Sequence, residues 1–215
     1  MAAPCCRATV SYLRIVIGRP TERLVGRDRE MAVVSRVVRD VLGGHTLTLV
    51  VEGEAGVGKT RLLQHLLDDA RAGGATVCRG EAHPFERTRP FGVVVDALDL
   101  RRRSPDPRRA AIAHLLTGEP DRSGSAPGGT SDVRYRVVEE ILDLVDASCA
   151  QASMVVVLED LHWADDSTLV AFRSMVRGLV DLSLLLVASL RPSPRSVARP
   201  TPRRCSRGRC SLYPT

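Results

Sequence analysis

The chain has 215 residues, 44 % of them hydrophobic and only 3 % aromatic, so it is long enough for one α/β domain whose core must be aliphatic. Its net charge of +6 belongs to the ends: residues 1–20 hold three arginines and residues 191–215 seven, with no acid in either, whereas 21–190 hold 21 basic against 25 acidic residues. A middle of net charge −4 argues against a nucleic-acid-binding surface, and the six cysteines (5, 6, 78, 149, 205, 210) show neither a disulfide framework nor zinc spacing.

Residues 1–22 have no clear periodicity and read as a loose extension. Arg14 interrupts the one apolar run there, which speaks against a secretory signal, and the later run Leu182 to Leu190 is too short to cross a bilayer. A cytoplasmic protein without membrane contact is expected. Next, Met31, Val34, Val38 and Val41, with Val33 and Val37 beside them, mark a helix stopped by Gly43-Gly44. Thr46 to Val51 is β-branched and apolar, a strand; Leu62, Leu63, Leu66, Leu67 and Ala70 form one face of the following helix, which runs to about Arg71.

Gly73-Gly74 turns the chain into a second strand, Ala75 to Gly80. After an irregular stretch, helices fit Pro90 to Leu98 and Pro107 to Leu116, and the Gly-, Ser- and Pro-rich residues 117–130 make a flexible loop. Ser131 is placed to cap a helix carrying Val137, Val138, Ile141, Leu142 and Val145. Met154 to Leu158 is apolar throughout, as a strand buried on both faces of a parallel sheet requires, and it ends in Glu159-Asp160. Asp165 or Asp166 starts a helix to about Leu179, and Leu182 to Ser189 is a fourth strand. Strands alternating with helices predict right-handed crossovers and a helix-covered parallel sheet.

Between the first strand and its helix stands Gly53-Glu54-Ala55-Gly56-Val57-Gly58-Lys59-Thr60, a complete G-x-x-x-x-G-K-[ST] phosphate loop, with Arg61 just beyond. Its glycines let backbone N–H groups converge on phosphate oxygens at a helix N-terminus. Lys59 then neutralises the β- and γ-phosphates and the Thr60 hydroxyl takes a place on Mg²⁺. Lys59 is the one lysine in the chain, all 30 other basic residues being arginine. Its compact ammonium, unlike a planar guanidinium, suits such a cradle.

Glu159 and Asp160 end a buried strand, where an open α/β sheet presents its ligand crevice. Asp160 is the choice for Mg²⁺ and Glu159 for orienting or deprotonating the attacking water, although the spacing does not separate the two roles. Helix capping is the competing explanation for the pair. Arg191 follows the fourth strand and is placed to meet a γ-phosphate, or simply opens a basic tail. Gly26 and Arg27 precede the first helix and can meet base and sugar, or form an ordinary turn. Trp163 reads as core packing and His162 as a satisfied polar neighbour.

Taken together, "LVGRDREM", "VVEGEAGVGKTRLLQHL", "RPFGVVVDAL", "RYRVVEEILDLV", "VVVLEDLHWADDSTL" and "LLLVASLRP" resemble the ATPase module of the large LuxR-type bacterial regulators. That module is the origin-recognition-like AAA domain of the STAND class, also found beside some adenylate cyclases and kinases. The resemblance covers roughly Leu24 to Pro192. "GEAGVGKT" is shared by many families, whereas "LEDLHWAD" is far more specific. The resemblance implies a P-loop NTPase fold over 23–192, ATP binding, slow hydrolysis and use of the nucleotide state as a switch. It also implies that the strand ending at Leu190 lies between the phosphate-loop strand and the Glu159 strand, with a fifth strand, after Arg191, on the far side of the phosphate-loop strand.

After Pro192 the chain departs from that pattern. Residues 193–215 are rich in Arg and Pro, read as a disordered tail, and offer no candidate for the fifth strand, the helical lid, the helical repeats or the DNA-binding helix-turn-helix. A truncated regulator is expected, contacting DNA only through a missing C-terminal domain. Its sheet edge at Thr46 to Val51 is expected to be bare and prone to self-association, its ATP binding weak and its turnover slight. The alternatives are a self-contained P-loop phosphotransferase, a nucleic-acid binder acting through its basic tail, and a non-functional remnant.

Overall fold

A computed structural model of the chain describes residues 11–17, 27–117 and 130–192. The apolar runs form parallel strands: β1 (Ser11–Ile17), β2 (Leu47–Gly53), β3 (Thr76–Glu81), β4 (Met154–Glu159) and β5 (Leu184–Leu190). They make one five-stranded sheet of order β1-β2-β5-β4-β3, every pair parallel. The fold is thus α/β, and β5 lies between the phosphate-loop strand and the acid strand as the resemblance implies.

The fifth strand comes from elsewhere. The expected loose extension over residues 1–22 is corrected for Ser11–Ile17, which pairs with β2 in register Ser11↔Leu47 to Ile17↔Gly53. The expected bare edge at Thr46 to Val51 is therefore corrected too. Alternation explains why this run is a strand: Ile15 and Ile17 turn into the core while Tyr12 and Val16 are 60 % and 61 % exposed. Arg14, the residue that interrupts the apolar run, forms an ion pair with Glu52 of β2, whose side chain is only 5 % exposed. A buried carboxylate on the inner strand thus selects an arginine on its neighbour.

Helices α1 (Asp28–Leu42) and α2 (Lys59–Ala72) cover one sheet face. Val34, Val37, Val38 and Val41 of α1 and Leu62, Leu63, Leu66 and Leu67 of α2 are buried against Leu49, Val51, Val155 and Val187. Each such side chain contributes roughly 1.5–3 kcal/mol of transfer free energy, so a single Val34→Asp would break this layer. The other face carries α3 (Gly92–Ala97), α5 (Thr130–Cys149) and α6 (Asp166–Gly178), packed on Val156, Leu158 and Leu186, with α4 (Pro107–Thr117) against α5.

Helix α5 starts at Thr130, so Ser131 lies inside its first turn and is not the cap expected for it. At α6 the expected start holds: Asp165 caps it, Oδ1 accepting from the Thr168 N–H at 3.0 Å and from the buried Phe91 N–H at 3.0 Å. Gly26, most of the expected loop at 117–130 and the expected tail 193–215 lie outside the described residues. Cys78 is buried on β3 and Cys149 half-buried at the end of α5; burial raises both thiols, Cys149 to about 11. No described helix is long and apolar enough to cross a membrane.

Candidate functional site

The phosphate loop leaves β2 at Gly53, where the chain has no room for a side chain. A Cβ there would stand 2.8 Å from Val57 Cγ2 and 3.1 Å from the Ile17 carbonyl oxygen. Val57 is buried beneath the loop and anchors it to the aliphatic core. Gly58, the residue before α2, has φ +88°, a left-handed conformation that costs a side-chain-bearing residue about 1 kcal/mol or more. This turn points the loop toward the sheet's carboxyl edge and leaves the N-terminus of a 14-residue helix facing the crevice.

Lys59 is buried, and its Nζ donates to the carbonyl oxygens of Gly53 (2.8 Å) and Glu54 (3.0 Å). The ammonium is held across the mouth of the loop by groups it can exchange for phosphate oxygens. Arg27 reaches the same place: its Nη1 lies 3.0 Å from where a Gly58 Cβ would be.

Across the crevice, β4 delivers the two acids in different environments. Glu159 is buried, and Arg79 Nε of β3 donates to its Oε1 at 2.5 Å. Burial pushes its carboxyl above the usual range and the Arg79 contact pulls it partly back. Asp160 is half-buried with φ +51°, and its N–H donates to Ser189 Oγ of β5 at 3.0 Å. Its Oδ1 lies 3.8 Å from His162 Nδ1.

His162 is not the satisfied neighbour expected of it. Both ring nitrogens are buried without a hydrogen-bond partner among the described residues. Burial depresses its pKa, opposed by Asp160 and aided by Arg191, Lys59 and Arg87, so the ring is neutral at pH 7. Trp163 is half-buried against the core; its ring lies 5.0 Å from that of His162 and 5.2 Å from the Arg87 guanidinium carbon.

One cavity of about 620 Å³ joins these parts. Ala55, Gly56, Gly58, Lys59, Thr60 and Arg61 line it from the loop side, Glu159, Asp160, Ser189 and Arg191 from the strand ends. Its size suits a small-molecule site. Gly53, Glu54 and Val57 support the loop without lining the cavity, and Arg27 approaches over Gly58. Thr60 and Asp160 face the same space, a hydroxyl and a carboxylate with no arginine or lysine partner among the described residues, which fits Mg²⁺: that ion takes few protein ligands beside water and phosphate oxygens. Glu159, already bridged to Arg79, fits a direct ligand role less well.

Three site residues escaped the sequence reading. Ser189 is the one hydroxyl in the otherwise apolar, buried β5, and that is the signal that identifies it; Arg79 is the one base in the half-exposed edge strand β3 and stands out only beside Glu159. Gln64, one turn into α2, carries no such signal. A Ser/His/Asp constellation elsewhere is structural. Ser35 Oγ contacts His65 Nε2 at 3.3 Å and Asp69 Oδ2 at 2.5 Å, and Asp69 Oδ2 is 3.6 Å from the same Nε2. A proton relay needs the acid on the other ring nitrogen, so the trio ties α1 to α2.

The sequence profile of the AAA ATPase domain matches residues 23–187. An uncharacterized protein of Rhizobium meliloti (strain 1021) is 25 % identical over 197 residues, covering 82 % of this chain and 19 % of the relative. The chain therefore spans about a fifth of the length of that curated relative.

Proposed function

Because the chain belongs to the AAA ATPase domain family, whose members bind nucleotides, we propose that it serves as the ATP-binding, slowly hydrolysing switch module of a LuxR-type signal-responsive transcriptional regulator. The observation that carries the nucleotide reading is the single cavity in which Lys59 and Thr60 of the loop face Asp160 and Arg191 of the strand ends. The regulator reading rests on the resemblance of "LEDLHWAD" and its companion motifs, with DNA contacted by a domain beyond this module.

Lys59 moves its hydrogen bonds from the Gly53 and Glu54 carbonyls to the β- and γ-phosphates, while the amides from Ala55 to Thr60 and the start of α2 hold the remaining oxygens. Arg61 adds charge at the rim, and Arg27, with Gly26 before it, meets the base and sugar. Thr60 and Asp160 hold Mg²⁺, which when bound neutralises phosphate charge and polarises the γ-phosphoryl group. Glu159, whose proton affinity is raised by burial, orients or deprotonates the attacking water. Arg191 senses the γ-phosphate at the end of β5, and the Ser189–Asp160 hydrogen bond couples that strand to the acid pair.

The test is nucleotide affinity with and without Mg²⁺ for wild type and Lys59→Ala. A loss of about a hundredfold is expected for removing a charge-assisted phosphate contact. Unchanged affinity would sink the site assignment. For the switch, different protease protection of the ATP and ADP forms is expected; identical patterns would leave an ATP-binding module without switching.

A further inference from the structure

The two faces of the sheet are unequally covered. On one, α1 and α2 bury the strands through Ile15 and Ile17 of β1. On the other, α3, α5 and α6 lie over β3, β4 and β5, and the β1–β2 end carries an apolar groove of about 460 Å³ between α6 and the sheet edge. Its floor includes Tyr12 and Val50; its wall is Leu169, Phe172 and Val176, spaced i, i+3 and i+7 along α6. The topology explains the opening. Because β1 precedes α1 in the chain, the strand beside β2 is not reached by a crossover from β5, and among the described residues no helix lies over this end of the face.

We propose that this groove docks an amphipathic helix of another polypeptide, apolar on one face and acidic along its shoulder. Width argues for a helix: two strands span about 10 Å, the diameter of one helix with its side chains. Charge argues for acids. Arg173 and Arg177 stand one turn apart on α6, with Arg191 at the end of β5, all exposed and without an ion-pair partner among the described residues. The chain's own residues 193–215 do not suit it, since they carry six arginines, four prolines and no acid. Exposed Val170 and Val16 extend the apolar surface past the groove.

The probe is a synthetic amphipathic peptide of about 16 residues with leucines at i, i+3, i+4 and i+7 and glutamates on both shoulders, against a version with every glutamate replaced by lysine. Titrated into the full chain, the glutamate peptide is expected to bind and to weaken as salt rises. Arg173→Glu/Arg177→Glu should weaken it about tenfold or more and strengthen the lysine peptide. Both positions are exposed and outside the phosphate cavity, so this result and that of the Lys59→Ala test are independent. Leu169→Ala, also exposed, should weaken the glutamate peptide without charge reversal.

Equal binding of both peptides, or of neither, overturns the proposal. So does a dimer in sedimentation equilibrium that Leu169→Glu dissolves, which would make a second copy the occupant. Saturable binding of dodecanoate in place of the peptide would equally overturn it, in favour of a small amphipathic anion.

Discussion

The two edges of the sheet solve the same electrostatic problem with the same register and put the solution to different uses. At one edge Arg14 of β1, which pairs with Val50, reaches two residues further along β2 to Glu52; at the other Arg79 of β3, which pairs with Val157, reaches two residues further along β4 to Glu159. Each glutamate side chain is 5 % exposed. Beyond Glu52 the chain turns into the phosphate loop, and the Arg14 pair faces the open groove side, where it fastens the edge strand. Beyond Glu159 comes Asp160, and the two acids line the crevice while Arg79 backs Glu159 from outside it. At both edges a buried carboxylate near the end of a strand is met by an edge arginine. Glu52 shares a face with Val50 and Glu159 with Val157 on the other side of the sheet, and that difference of face, not distance from the crest, separates them.

Breaking the first edge should have the larger effect on stability. Arg14→Met leaves Glu52 buried and unpaired, and about 3 kcal/mol of unfolding free energy should be lost in urea titrations at pH 7. Arg14→Met/Glu52→Gln should recover most of it; no loss in the single variant would mean that β1 does not pair with β2.

Arg79→Met should cost less, about 2 kcal/mol at pH 7, and the cost should shrink toward pH 5. The sign follows from Glu159, whose carboxyl is already raised above its ordinary value in the fold. Its ionised form opposes folding, so the penalty is absent below the unfolded pKa and appears as pH rises through the folded one. Glu159→Gln in the same background should remove the pH dependence, measured by the same titrations.

The acid pair sharpens the contrast within one edge. Asp160→Asn should remove about tenfold of Mg²⁺-dependent ATP affinity, whereas Glu159→Gln should lower turnover and spare affinity. The reverse pattern in calorimetry and phosphate release would exchange their roles.

His162 should give a smaller effect. Its pKa is depressed in the fold, so its contribution to stability is fully present above the unfolded value near 6.5 and is lost as pH falls through the folded one. A loss of under about 1 kcal/mol between pH 7 and 5, flattened in His162→Gln, is expected from thermal melts.

What was legible in the sequence was whatever is written locally. The loop from Gly53 to Thr60 carries its own geometry in its glycines, and Met154 to Leu158 its burial on both faces in unbroken apolarity. Even the position of β5 followed from motif resemblance. The pairing of β1 with β2 was not legible, because a seven-residue strand broken by Arg14 looks unstructured until Glu52 supplies a counter-charge 38 residues away. The same holds for Ser189 and Arg79, which meet Asp160 and Glu159 only once the strands are in register. Backbone conformation and hydrophobic period are properties of neighbouring residues, so the sequence alone determined the phosphate loop and the elements from α1 to β5, but not β1. Which strand closes the edge, which carboxylate meets an arginine and which face the helices cover depend on contacts between distant segments, and only the tertiary structure decided them.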